Sequence, residues 1–242
     1  MRLDAFLSDA GLASRRKARD LVVSGRVRVD GRVVDRPGHR LRGDETVTFD
    51  GREIRTPRER TYIALHKPAG FLTTADDPGG RRTVADLVPM RPRLFPVGRL
   101  DYATSGLLLL TDDGAWASRL EHPSGGIDRV YRVTVRGEPG EGIVEDIRSG
   151  IPLADGIARV LTMERMVNGA PGCTRWKIVL REGRYREIRR LMATVGHPVE
   201  ELVRIAFGPV YLGDLGRGRW RYLERCEVEE LSRSARPRCG QG

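Results

Sequence analysis

Over the first fifty residues the apolar positions change period once, from helical to strand-like. Leu3, Phe6 and Leu7 recur at helical spacing, and Gly11 stops that segment. Ser14 can cap a second helix from Arg15 to Val23, with Ala18, Leu21 and Val22 on one face and Gly25 just past its end. Val27, Val29 and Val33 then flank Asp30-Gly31, a pair that favours a tight hairpin because glycine tolerates positive φ. Thr46 to Phe49 predicts one further strand. Residues 51–60, GREIRTPRER, have little periodicity and one proline, so they are expected to link a domain at 1–50 to a larger one at 61–231.

The larger domain opens with a strand at Tyr62 to His66, stopped by Lys67-Pro68-Ala69-Gly70. Further strands are expected at Gly106 to Thr111, Tyr131 to Val135, Arg159 to Thr162 and Trp176 to Leu180. Leu107 to Leu110 reads as a strand buried on both faces. The clearest helix runs from about Tyr185 to Val195, with Ile188, Leu191, Met192 and Val195 on one stripe and Gly196 and Pro198 at its end. Strands and helices do not alternate regularly, which predicts an α+β fold with a mixed, largely antiparallel sheet. Residues 232–242 lack apolar anchors and are expected to be a disordered tail.

Charge sharpens this picture. The chain has 242 residues, 43 basic and 33 acidic, for a net charge of +10. Lysine occurs only at Lys17, Lys67 and Lys177, so arginine supplies nearly all the positive charge. Guanidinium groups grip phosphate in a bidentate fork and stack on bases, which suits a polyanion partner; an arginine-rich composition throughout would look the same. Arg15, Arg16, Lys17 and Arg19 crowd the start of the second helix, where the helix dipole is already positive. A phosphate chain across that helix start would offset the repulsion, and a solvated basic face would tolerate it.

Several classes of chemistry lose support. No apolar run approaches the ~20 residues of a membrane helix, and the first residues show no secretory signal. Cys173, Cys226 and Cys239 are odd in number and scattered, which fits a reducing, cytoplasmic setting. No dinucleotide fingerprint or phosphate-cradling loop is present, and the four histidines lack metal-ligand spacing, so no cofactor and no metal are expected. What remains is the polar loop ahead of the Leu107 strand. Arg99, Asp101, Thr104 and Ser105 form a charged, hydrogen-bonding cluster beside the core, where charge is expensive unless paired. Asp101 is its outstanding candidate, although an aspartate there can also be an ordinary turn-former. Tyr131 shares strand phase with Val133 and Val135, as a core aromatic or as a pocket floor. On the last helix Arg189 lies at the edge of the apolar stripe and can reach a half-buried partner, while Arg186 and Arg190 point toward solvent or phosphate; all three could equally form a solvated basic face.

The segment RLDAFL followed by ASRRKARDLVVSGRVRVDGRVV resembles the RNA-binding domain typified by the fourth small-subunit ribosomal protein. GRLDYATSGLLLLTDDG, at Gly98 to Gly114, resembles the central motif of pseudouridine synthases. HKPAG, RVYRV, SGIPLADG and EGRYREIRRLMATVGHPV follow the pattern of the branch that carries such an N-terminal domain and modifies ribosomal RNA. The likeness runs from Met1 to about Leu231, with Ala103 where an acidic residue is common and Arg129 where lysine is common. It implies that Asp101 is the catalytic aspartate, that Tyr131 packs against the target uracil and that Arg189 pairs with the aspartate. RNA contacts are expected at Arg15, Arg16, Lys17, Arg19, Arg99, Arg184, Arg186 and Arg190. A two-domain RNA clamp needs no partner chain, so a monomer with no membrane partner is expected. GRYREIRR looks more like the members that modify large-subunit ribosomal RNA. The same reaction on small-subunit RNA, a non-catalytic ribosome-assembly factor and a nucleosidase-like hydrolase are the alternatives.

Overall fold

The structure is a computed structural model that describes residues 1–56, 59–88, 93–166 and 171–235. The chain divides into two compact units, one built on Met1–Thr61 and a larger one from Tyr62 onward. No helix among the described residues is long and apolar enough to cross a membrane.

In the first unit, helices α1 (Leu3–Asp9) and α2 (Arg15–Val23) precede strands β1 (Val27–Val29), β2 (Arg32–Val33), β3 (Val47–Phe49) and β4 (Arg52–Glu53). The Ser14 Oγ accepts from the Lys17 amide at 3.3 Å and caps α2 as its sequence predicts. Asp30 and Gly31 both have positive φ, 48° and 76°, which is the geometry of a two-residue hairpin turn. Leu3, Leu7, Ala18, Val22, Val27 and Val47 are buried in one small core. The segment 51–60, expected as a linker, instead opens with β4. Asp50 and Gly51 repeat the positive-φ turn and fold β4 back on β3, and Ile54 packs against the small core. Two hairpin residues are too few for a strand period to register.

The second unit contains β5 (Tyr62–Lys67), β6 (Phe95–Val97), β7 (Ser105–Thr111), α3 (Gly114–Glu121), β8 (Arg129–Arg136), α4 (Glu141–Ser149), β9 (Ile151–Leu153), β10 (Gly156–Ala158), β11 (Thr162–Met166), β12 (Cys173–Leu180), α5 (Glu187–Thr194), β13 (Val199–Phe207), β14 (Val210–Tyr211), β15 (Trp220–Tyr222) and α6 (Arg225–Ser234). Its main sheet runs β11-β12-β8-β13-β7-β5-β15, with β6 added to β7 and β14 to β13. Only the β7–β13 pair is parallel among these described ladders, so the sheet is mixed and mostly antiparallel. Leu108 and Leu110 point into one hydrophobic cluster while Leu107 and Leu109 point into another. β7 is therefore covered on both faces, and an apolar run is what a two-sided burial demands.

Several elements differ from expectation. The strand expected at Arg159 to Thr162 lies at Thr162–Met166, because its partner β12 fixes the register from Thr162↔Val179 onward. β13, a central strand, was not expected at all: Glu200, Glu201 and Arg204 make its sequence read as polar. Of the tail expected to be disordered, Ser232 to Ser234 are helical, and Ser232 accepts a hydrogen bond from the Trp116 indole at 3.0 Å. Residues 236–242 lie outside the described residues.

Candidate active site

The loop Gly98–Thr104 is held from below by Lys67. This lysine ends β5 with no exposed surface, and its Nζ donates to the carbonyls of Pro68 at 3.0 Å, Asp101 at 3.1 Å and Thr104 at 2.8 Å. Three donors meet three backbone acceptors, so the ammonium is satisfied without a carboxylate. Burial pushes its pKa down to about 8, against the upward pull of Asp101. A second tether comes from Thr73, whose Oγ1 donates to the Leu100 carbonyl at 2.6 Å. Sequence reasoning passed over Lys67. A lone lysine closing an apolar strand in a lysine-poor chain was the available signal.

Asp101 is half-buried and faces a cavity of about 380 Å³ that it shares with Tyr131. Tyr131 is 8% exposed. Leu100, Leu180, Ile188 and Leu202 supply the apolar part of the wall, and Tyr185, 73% exposed, stands at its rim. Tyr185 is a further candidate contact that sequence reasoning did not weigh. A larger cavity of about 680 Å³ lies near Asp128 and Arg181, but these two are paired with each other at 2.9 Å and no carboxylate there faces an aromatic ring.

Arg189 does not form the direct ion pair with Asp101 that the resemblance implies. Its Nη2 donates to the Ala103 carbonyl at 3.0 Å and its Nη1 to the Val199 carbonyl at 3.3 Å. Burial and then the neighbouring Arg186 hold its guanidinium below the usual value, while the Asp101 charge acts the other way. Arg189 thus braces the Asp101 loop through its backbone and acts on the carboxylate through space.

The expected helix over Tyr185 to Val195 begins two residues later. Arg186 caps it in the left-handed region at φ 48°, and Glu187 is buried, accepting from the Arg184 amide at 3.1 Å. Arg186 is exposed. Arg190 is not turned to open solvent: it forms a bidentate pair with Asp155 at 2.9 and 2.8 Å. Arg184 pairs with Glu182 at 3.0 Å, and Arg99 is exposed on the cavity wall. In the first unit Arg16, Lys17 and Arg19 are exposed on α2, and exposed Arg15 lies 3.7 Å from the buried Asp4. Of the histidines, His66 and His197 each bond a backbone carbonyl through Nδ1, those of Leu215 and Arg136.

Residues 61–194 match the family model described as RNA pseudouridylate synthase, and residues 1–47 match that of the S4 domain. A protein of Aquifex aeolicus named "Uncharacterized RNA pseudouridine synthase" is 41% identical over 96% of this chain and 93% of its own. The "Ribosomal large subunit pseudouridine synthase B" of Bacillus subtilis is 36% identical over 95% of both chains. A solved structure titled "Crystal structure of pseudouridylate synthase" superimposes with a TM-score of 0.68 at 27% identity, covering 96% of this chain and 99% of that one.

Proposed function

The chain belongs to the RNA pseudouridylate synthase family, and from that premise we propose that it converts a specific uridine of large-subunit ribosomal RNA to pseudouridine, with Asp101 as the catalytic carboxylate. The supporting observation is that Asp101 and Tyr131 open onto one cavity, walled partly by Leu100, Leu180, Ile188 and Leu202 and partly by charged residues such as Arg99 and Arg186. The reaction breaks the bond from the anomeric carbon to N1, turns the base, and forms a bond from that carbon to C5. The C5 hydrogen leaves as a proton and N1 takes one up, so no redox partner or energy donor is consumed. An ionised carboxylate beside the glycosidic bond serves this chemistry by attacking or by stabilising developing positive charge. Lys67 and Arg189 hold the loop that carries it through the Asp101 and Ala103 carbonyls.

The base must leave its stack first. Flipping costs a few kcal/mol, and stacking on an aromatic ring returns about 1–3 kcal/mol, the role we give Tyr131. Residues 1–50 hold the RNA through Arg15, Arg16, Lys17 and Arg19, and residues 61–231 carry the reaction. Arg99 and Arg186 meet phosphate directly; Arg184 and Arg190 do so by exchanging their carboxylate partners. One chain with both capacities works as a monomer in the cytoplasm. The large-subunit target draws on the name of the Bacillus subtilis relative.

The test uses the full chain with large- and small-subunit ribosomal RNA transcripts carrying tritium at uridine C5. Release from the large-subunit transcript alone is expected. Asp101→Asn should lower it on the order of a thousandfold or more while RNA affinity stays within about twofold. Appreciable turnover by that variant, or release from the small-subunit transcript alone, overturns the proposal.

A further inference from the structure

Beside the Asp101 cavity two guanidinium groups, Arg129 and Arg204, lie over the same Phe207 ring, 5.3 and 5.2 Å from its centroid. Arg204 is 2% exposed. Its Nε donates to the Leu107 carbonyl at 2.7 Å, and its Nη2 is buried with no partner. Arg129 is half-buried and donates from Nη1 to the carbonyls of Ile127 and Arg181. Among the described residues no carboxylate forms an ion pair with either. Burial lowers the proton affinity of both, and for Arg204 the charge of Arg129 lowers it further.

A buried Arg204 beside a half-buried Arg129, neither held in an ion pair, opposes folding, because Arg204 has given up its water and Arg129 repels it. The arrangement becomes favourable when an anion arrives. Both side chains line a cavity of about 400 Å³ together with Arg99. The nearby Arg181 and Arg184 are already paired, with Asp128 and Glu182, and the Glu121 carboxylate accepts from the Gly98 amide at 3.0 Å. The cavity's basic groups without an ion-pair partner are therefore Arg99, Arg129 and Arg204, while the Glu121 carboxylate keeps its charge in the same wall and acts on Arg129 through space. This cavity and the Asp101 cavity share Gly98, Arg99 and Tyr131 in their walls, so a single nucleotide can reach into both.

We infer that the cavity floored by Arg129 and Arg204 binds a phosphodiester of the substrate strand, adjacent to the uridine whose base occupies the Asp101 cavity. Arg129 and Arg99 supply the forks that meet the phosphate, and Arg204 adds a buried charge in the same wall as Tyr131. This rests on the proposed uridine isomerisation and adds the residues that seat the nucleotide's backbone.

The probes are inorganic phosphate and the tritiated large-subunit transcript. Phosphate should inhibit wild-type turnover competitively with RNA, beyond chloride at equal ionic strength, and should shift the Nε–H resonance of Arg129 saturably. Arg129→Met should weaken phosphate inhibition at least fivefold and lower kcat/KM at least tenfold. Arg129→Lys should restore part of both, and Arg165→Met, on an exposed edge, should change neither. If Arg204→Met does not fold, the Arg129 pair still decides the matter. Phosphate no more inhibitory than chloride, or turnover unchanged in Arg129→Met, overturns the subsite. If the wild-type enzyme releases no tritium, the isomerisation itself is wrong, and the Arg129 resonance still reports whether the cavity takes an anion.

Discussion

Lys67 and Asp101 are joined through the backbone: the lysine ammonium donates to the aspartate's own carbonyl at 3.1 Å, so a residue 34 positions earlier sets where the carboxylate stands. The ammonium has three N–H groups for three carbonyls, and the neutral amine has two. Turnover should therefore fall as pH rises through about 8, the value to which burial brings Lys67. Stability should move the opposite way. The unfolded chain keeps the lysine proton up to about pH 10.4, so above pH 8 it binds more protons than the folded one, and this group makes folding more favourable as pH rises. Single-turnover tritium release measured beside urea midpoints checks this. A parallel loss of both above pH 8 would count against Lys67 as the origin.

Gly106 allows β7 and β13 to approach closely. A Cβ there would lie 2.2 Å from the Arg204 carbonyl oxygen and 2.5 Å from its amide nitrogen, and the residue's φ is +112°. Neither backbone can yield without breaking the parallel pairing of Ser105 and Gly106 with Val203 and Arg204. Gly106→Ala should destabilise by about 3 kcal/mol, through overpacking and a φ that alanine resists. Urea unfolding measures it, and a change below about 1 kcal/mol would mean that the two strands can part freely.

The α2 cations should reveal themselves in salt dependence. Replacing Arg15, Arg16, Lys17 and Arg19 together by Gln should flatten the slope of log affinity against log salt by about 3, since each lost phosphate contact removes about 0.7–0.9. Turnover at saturating RNA should be little changed. Filter binding across a salt series gives the answer, and an unaltered slope would remove α2 from the RNA-binding face.

Local order in this chain is written in adjacent residues. The Ser14 cap, the Asp30-Gly31 turn and the four leucines of β7 are short-range stereochemistry and burial preference, and each is where its own neighbours require it. The polar loop ahead of β7 was legible for the same reason, as Arg99 and Asp101 set against an apolar strand. β13 was not, because a strand carrying Glu200, Glu201 and Arg204 is made by its partners on both sides and not by its own alternation. The burial of Lys67 and Arg204, and the bracing of the Ala103 carbonyl by Arg189, join residues 34 to 97 positions apart. A side chain's charge is visible in the sequence, but what it costs and whom it serves depend on the dielectric and the partners that distant segments bring to it, and only the folded packing supplies those.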